Sequence, residues 1–282
     1  MGKYPSKETC SLKNILVTGA NGQLGSEIQV VSTEQTDIKY YFTDVAELDI
    51  CDINAIERFV VDNAIDCIIN CAAYTNVNKA EEDVALCDKL NHQAPENLAR
   101  IASQYNIGLI HVSTDYVFDG CHYLPYREDD VPCPNSVYGT TKLAGEKAIL
   151  AIHPMAVIIR TAWLYSTFGN NFVKTMLRLG AERSELGIVF DQIGTPTYAR
   201  DLARTVHHII RNGIIPGVYH YTNEGVCSWY DFTNTIFSLS GINACKLIPL
   251  HTDEYPTPVA RPHYSVLDKT KIKHTYNIDI PY

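Results

Sequence analysis

The chain has eighteen tyrosines, and only one, Tyr138, is followed four residues later by a lysine, Lys142. On a helix that spacing sets both side chains on one face, and Tyr138-Gly139-Thr140-Thr141-Lys142 opens an amphipathic stretch. A phenol with its ordinary pKa of about 10 is a poor acid at neutral pH, and a neighbouring ammonium should lower that value. The lysine could also grip ribose hydroxyls. An exposed helix can carry such a pair by chance, so its surroundings decide. Upstream, Ser113-Thr114-Asp115 ends an apolar run, where the Thr114 hydroxyl could hydrogen-bond a reacting carbonyl oxygen. A proton donor, a cation and an orienting hydroxyl are what the reduction of a carbonyl needs beside its hydride source.

A hydride source is expected from the N-terminal turn Thr18-Gly19-Ala20-Asn21-Gly22-Gln23-Leu24-Gly25. Its glycines lie between the β-rich run Asn14-Ile15-Leu16-Val17-Thr18 and a helical pattern carrying Leu24, Ile28 and Val31. The first glycine permits the sharp turn, the second lets backbone approach a pyrophosphate, and the third allows the helix to pack closely. The helix N-terminus then points free N–H groups at the anion. A glycine triplet also occurs in plain turns, but strand, loop and helix together are the context of a dinucleotide site. Asp44, past the second apolar run, could accept from a ribose 2′-hydroxyl, which favours NAD over NADP. It also reads as a solvated loop carboxylate, so both nicotinamide dinucleotides stay open.

The elements behind these residues alternate. Cys67-Ile68-Ile69-Asn70, Leu109 to Val112 and Ala156-Val157-Ile158-Ile159 are continuous apolar runs, separated by segments of helical period. That pattern predicts a parallel sheet covered on both faces. The expected fold is α/β: a Rossmann-type doubly wound parallel sheet with a smaller α/β substrate-binding domain. Residues 1–12 read as a polar N-terminal extension and 13–160 as the NAD(P)-binding Rossmann domain, joined by parts of 187–215. The looser, Pro-interrupted 161–186 and 216–282 read as the substrate-binding domain.

Composition excludes other roles. The 282 residues carry a formal charge of −9 and no basic stripe, which argues against nucleic acid. No apolar run is long enough for a membrane span. Nine scattered cysteines without a CxxC pair read as reduced thiols in the cytoplasm, and no histidine or cysteine spacing suggests a metal.

TGANGQLG, STDYVFDG and YGTTKLAGEKA together resemble the extended short-chain dehydrogenase/reductase superfamily. The GNNF, DQIGTPT and YPTPVARP segments are similar to one branch of it, the reductases of dTDP-4-dehydrorhamnose. The resemblance implies that Thr114, Tyr138 and Lys142 are catalytic. It implies that Gly19, Gly22, Gln23, Leu24 and Gly25 meet the pyrophosphate, and that Asp44, Asp49 and Ile50 meet the adenosine half. Ala72, Ala73, Tyr74 and Val112 would line the cofactor beside Tyr138 and Lys142, while Thr114, Asp115 and Trp163 would contact a small-molecule sugar nucleotide, dTDP-4-dehydro-L-rhamnose. The implied cofactor is NADPH, with NADH possible.

Some members of the family dimerise through a metal held by acidic side chains. Glu27 stands at one such position, but Arg200 stands where an acid is expected, which implies a monomer or a weak homodimer without metal. Two other roles share the fold: a nucleotide-sugar epimerase or dehydratase, and a regulatory subunit resembling the methionine adenosyltransferase β subunit. Dehydratases place a second acid after the one that follows the threonine, where this chain has Tyr116. The intact Thr114, Tyr138 and Lys142 set argues against the regulatory role.

Overall fold

The computed structural model describes residues 13–34 and 37–282; the expected extension over 1–12 lies outside them. The chain begins with β1 (Asn14–Thr18), α1 (Gln23–Ser32), β2 (Lys39–Thr43), α2 (Ile53–Asp62) and β3 (Cys67–Asn70). Two short helices, α3 (Val77–Ala80) and α4 (Val84–Asp88), run through one π turn at Lys89–Gln93 into α5 (Ala94–Tyr105). Next come β4 (Gly108–Thr114), α6 (Val137–Ile152) and β5 (Val157–Thr161).

These strands form one parallel sheet in the order β2-β1-β3-β4-β5, with a sixth strand beyond β5. The apolar runs do not alternate because both faces are covered. Leu16, Ile68, Leu109 and Ile158 pack toward Ile56 and Val60 of α2 and Leu98 of α5. Ile15, Val17, Ile69, Ile110 and Ile159 face the other way, onto Leu24, Ile28 and Val31 of α1. Strand order reverses between β1 and β3, and at such a switch point the loops diverge and leave a crevice at the carboxyl ends of the strands.

The remainder comprises β6 (Leu164–Tyr165), α7 (Phe172–Glu182), β7 (Glu185–Val189), β8 (Ile193–Gly194), β9 (Thr197–Tyr198) and α8 (Ala199–Asn212). It ends with β10 (Gly217–His220), β11 (Cys227–Ser228), α9 (Trp229–Ser240), β12 (Lys246–Leu250) and α10 (Thr270–Tyr276). Helices α7 and α9 cover the parallel pair β7–β12 around Met176, Ile188 and Phe237.

Two segments pack elsewhere than the sequence rhythm places them. Residues 217–220, expected on the substrate side, are the sixth strand of the main sheet beside β5, and Ile272 and Tyr276 of α10 join the α1 face. The stretch 187–215 divides: α8 packs on α1 through Leu202, Val206 and Ile209, whereas β7 belongs with β12. A four-residue strand with a glycine at its start carries too little pattern to be seen among loops. Among the described residues no helix is long and apolar enough to cross a membrane.

Candidate active site

A cleft of about 830 Å³ opens at the carboxyl ends of β1, β3 and β4. One end is the glycine turn, with Gly19, Gly22, Gln23, Leu24 and Gly25 all on its wall. Gly19 adopts φ +67, and a Cβ there would lie 2.6 Å from the backbone nitrogen of Ala72. Only glycine lets β1 turn this close to the end of β3. Gly22 caps α1 without any side-chain bond to its first turn, so those N–H groups are free for an anion. A Cβ on Gly22 would meet a single atom, the Gly19 carbonyl oxygen at 3.2 Å, so backbone there is open to close approach. The turn therefore fits a dinucleotide pyrophosphate. Asp44, Asp49, Ile50, Ala72, Ala73 and Val112 line the same cleft. The Asp44 carboxylate accepts from the backbone N–H groups of Asn21 (3.1 Å) and Val45 (2.8 Å), so it also braces the glycine turn.

The Tyr138 wall is built by a helix start. Ser136 Oγ accepts from the Gly139 N–H at 3.1 Å and starts α6, which places Tyr138 in the first turn and Lys142 one turn on. A Cβ on Gly139 would sit 2.2 Å from the Tyr116 carbonyl oxygen, so glycine allows the helix to abut the end of β4. Thr114, Asp115, Tyr138 and Lys142 thereby share the cleft wall. The Tyr116 ring meets Tyr138 edge-on at 5.5 Å and its hydroxyl accepts from Arg261 Nη1 at 3.0 Å.

Burial governs the charges. It pushes the Tyr138 phenol above its ordinary value, with the negative charge of Asp115 adding to the rise. Lys142, only 1% exposed, is drawn down to about 8 by burial and donates to the Val112 carbonyl oxygen at 2.7 Å. The expected lowering of the phenol by the ammonium is not found: desolvation raises it, and the phenol keeps its proton more firmly. Burial also raises Asp115 to about 6. Its Oδ1 accepts from Thr114 Oγ1 at 2.9 Å, while Oδ2 is buried without a hydrogen-bond partner, as is Ser113 Oγ.

Trp163 reaches the cleft from the loop after β5, at φ +49, where a bulky residue is strained. Its ring stacks on Trp229 with centroids 3.5 Å apart, and a Cβ on Gly194 would touch it at 2.6 Å, so the strained conformer is clamped from both sides. Tyr74 is the one expected cofactor residue that is not on the cleft wall. Asn91, on the π turn, bonds the Tyr74 backbone at both N–H and carbonyl, and the Tyr74 hydroxyl donates to Asp83 at 2.9 Å.

Ser113, Thr161 and the segment Gly169-Asn170-Asn171 line the cleft without having been assigned a role from sequence. The last lies in the GNNF segment, a family-specific pattern that marked it, and Asn171 Nδ2 donates to Gln23 Oε1 at 3.0 Å, tying α7 to the glycine turn. The carboxylate of Glu27 is fully buried and already engaged, by Arg200 Nε at 2.6 Å and Ser166 Oγ at 2.6 Å.

A doubly wound sheet with a glycine turn at its first strand, a threonine at the end of β4 and Tyr138 and Lys142 on the next helix defines a short-chain dehydrogenase/reductase. The sequence profile of the RmlD substrate binding domain matches residues 13–282. The chain belongs to this family, and several of its relatives bear the name dTDP-4-dehydrorhamnose reductase. It is 39% identical to the dTDP-4-dehydrorhamnose reductase of Aggregatibacter actinomycetemcomitans, over 95% of this chain and 94% of that one. The crystal structure of the Clostridium acetobutylicum enzyme of that name superposes with a TM-score of 0.89 at 46% identity, covering 95% and 94% of the two chains. The Bacillus anthracis enzyme, crystallised with NADP, gives a TM-score of 0.90 at 37% identity over 96% and 95%.

Proposed function

We propose that this protein reduces the 4-keto group of dTDP-4-dehydro-L-rhamnose to give dTDP-L-rhamnose, using NADPH. The observation that carries this reading is one cleft whose wall carries both the glycine turn and Thr114, Tyr138 and Lys142.

Bound at the glycine turn, NADPH supplies the hydride that reduces C4 of the sugar. The chain's own residues then have separable tasks. Tyr138 gives its phenolic proton to the oxygen that becomes the hydroxyl. A phenol held protonated by burial stays available for that transfer at neutral pH, and the alkoxide it meets is far more basic. Thr114 orients the carbonyl; it has one hydroxyl hydrogen, now directed to Asp115, and must turn it toward the sugar. Asp115 then offers its unpartnered Oδ2 to a sugar hydroxyl. Lys142 faces the nicotinamide ribose, and Trp163 gives the sugar a flat apolar wall.

The division of labour we infer is a cofactor side, from the main sheet, and a substrate side, from the β7–β12 unit and the loops around Arg261. The setting we infer is the cytoplasm, where the eight described cysteines, all free, stay reduced. Because Arg200 occupies the Glu27 carboxylate, the protein is expected as a monomer or weak homodimer; sedimentation unchanged by magnesium supports this, and a magnesium-dependent dimer contradicts it.

The activity test follows absorbance loss of NADPH, and separately NADH, on adding dTDP-4-dehydro-L-rhamnose, with a GDP-linked keto sugar as control. Oxidation is expected with the dTDP sugar. No oxidation of either cofactor overturns the reading.

A further inference from the structure

The strand that delivers Thr114 also buries an imidazole against Lys142. His111 of β4 and Asn70 of β3 are both 0% exposed. The Ala72 backbone N–H and Thr18 Oγ1 both donate to Asn70 Oδ1, at 3.1 Å and 2.8 Å. Asn70 Nδ2 lies 3.0 Å from His111 Nδ1, and His111 Nε2 lies 3.2 Å from Lys142 Nζ.

The polarity of this chain can be followed from its fixed end. A backbone N–H only donates, so the amide atom facing Ala72 must be oxygen, and the NH₂ must face the imidazole. An amide NH₂ only donates as well, so His111 Nδ1 accepts and carries no hydrogen. A neutral imidazole then carries its hydrogen on Nε2, aimed at the lysine. An ammonium has three hydrogens and no lone pair, so it would meet this group donor to donor. A neutral amine has the lone pair that Nε2–H needs.

We infer that Asn70 locks His111 as its Nε2–H tautomer, and that His111 is a positioning residue which biases Lys142 toward the neutral amine, so that this lysine is a switchable group and not a permanent cation. The inference rests on Lys142 being a working residue of the proposed reaction. Other groups around Nζ have to be counted. Glu146, one turn along α6, and the thiols of Cys71 and Cys87 all favour the ammonium, while burial opposes it and prevails. His111 itself is held neutral, by burial first and then by the lysine's charge. The hydrogen-bond polarity adds a specific donor to that general effect of burial.

The test uses cofactor-free protein without sugar, so it stands apart from the turnover assay. Lysine carrying ¹³C at Cε reports the charge on each amine, and loss of one signal in Lys142→Met assigns the resonance. In the wild type the Lys142 signal should titrate with a midpoint near the value of about 8, and the His111 ¹⁵N shifts should show a bare Nδ1 and a protonated Nε2. In His111→Gln, where the amide can turn its carbonyl to the lysine without adding charge, the midpoint should rise by roughly one unit. Asn70→Asp gives a second measurement if the glutamine variant does not fold: its carboxylate accepts from Nδ1–H, so the His111 ¹⁵N shifts should show the hydrogen moved from Nε2 to Nδ1. A hydrogen on Nδ1 in the wild type, a midpoint unmoved in folded His111→Gln, or a hydrogen still on Nε2 in folded Asn70→Asp overturns the inference.

Discussion

Burial moves the two acids of the cleft wall in the same direction, with different consequences. Tyr138 keeps the proton it would donate in the proposed reaction, so Tyr138→Phe should leave NADPH binding, read by cofactor fluorescence, unchanged while turnover falls by roughly 10²–10⁴. Near-normal turnover would remove Tyr138 from the acid role. Asp115, raised from 3.8 to about 6, is strained in its charged form. Because its folded value lies above the unfolded one, the stability it confers is complete below about pH 4 and lost as pH rises through about 6. Asp115→Asn should therefore gain stability relative to the wild type from pH 4 to pH 8, by up to about 3 kcal/mol, while losing turnover. Equal pH dependence in denaturant melts of the two proteins would contradict this. The Tyr138–Lys142 spacing was legible because four residues on a helix is a local relation. The direction of the phenol's shift was not, because desolvation depends on what the fold packs over it. Tyr74 shows the same limit: its neighbours Ala72 and Ala73 reach the cleft, but its own direction is set by Asn91, which lies far along the chain.

At the scale of elements, the glycine turn, the apolar strands and the helix carrying Tyr138 could all be read from pattern, since each has a period or a cap of its own. The strand β10 and the partnership of β7 with β12 could not, because short strands are defined by what they pair with. The contact of α1 with α8 is also non-local, and it encloses the Glu27–Arg200 pair. Glu27 is fully buried and Arg200 is 27% exposed. Removing the arginine leaves a carboxylate without its counter-charge, so Arg200→Ala should cost about 3 kcal/mol in denaturant melts. Glu27→Gln combined with Arg200→Met should recover much of that loss, since neither charge remains. A double variant no more stable than Arg200→Ala would show that the charge pair is not what holds α1 to α8.

For the whole molecule, a formal charge of −9 coexists with a glycine turn that fits a dinucleotide pyrophosphate. Backbone N–H groups at the start of α1 resolve the conflict, because they supply positive potential without a cationic side chain. Net charge accordingly argues against a polyanionic partner and says little about a nucleotide seated in a cleft. In the proposed reaction hydride passes from NADPH to C4 of the dTDP-linked keto sugar and stays there. Its most direct measurement is the position of the label after turnover with NADPH deuterated at C4 of the nicotinamide on the transferred face, read by NMR and mass spectrometry of the product. One deuterium at C4 of dTDP-L-rhamnose is expected. Product formed without deuterium, or a sugar changed at another carbon while the cofactor is not consumed, would contradict the reductase and point to an epimerase or dehydratase cycle.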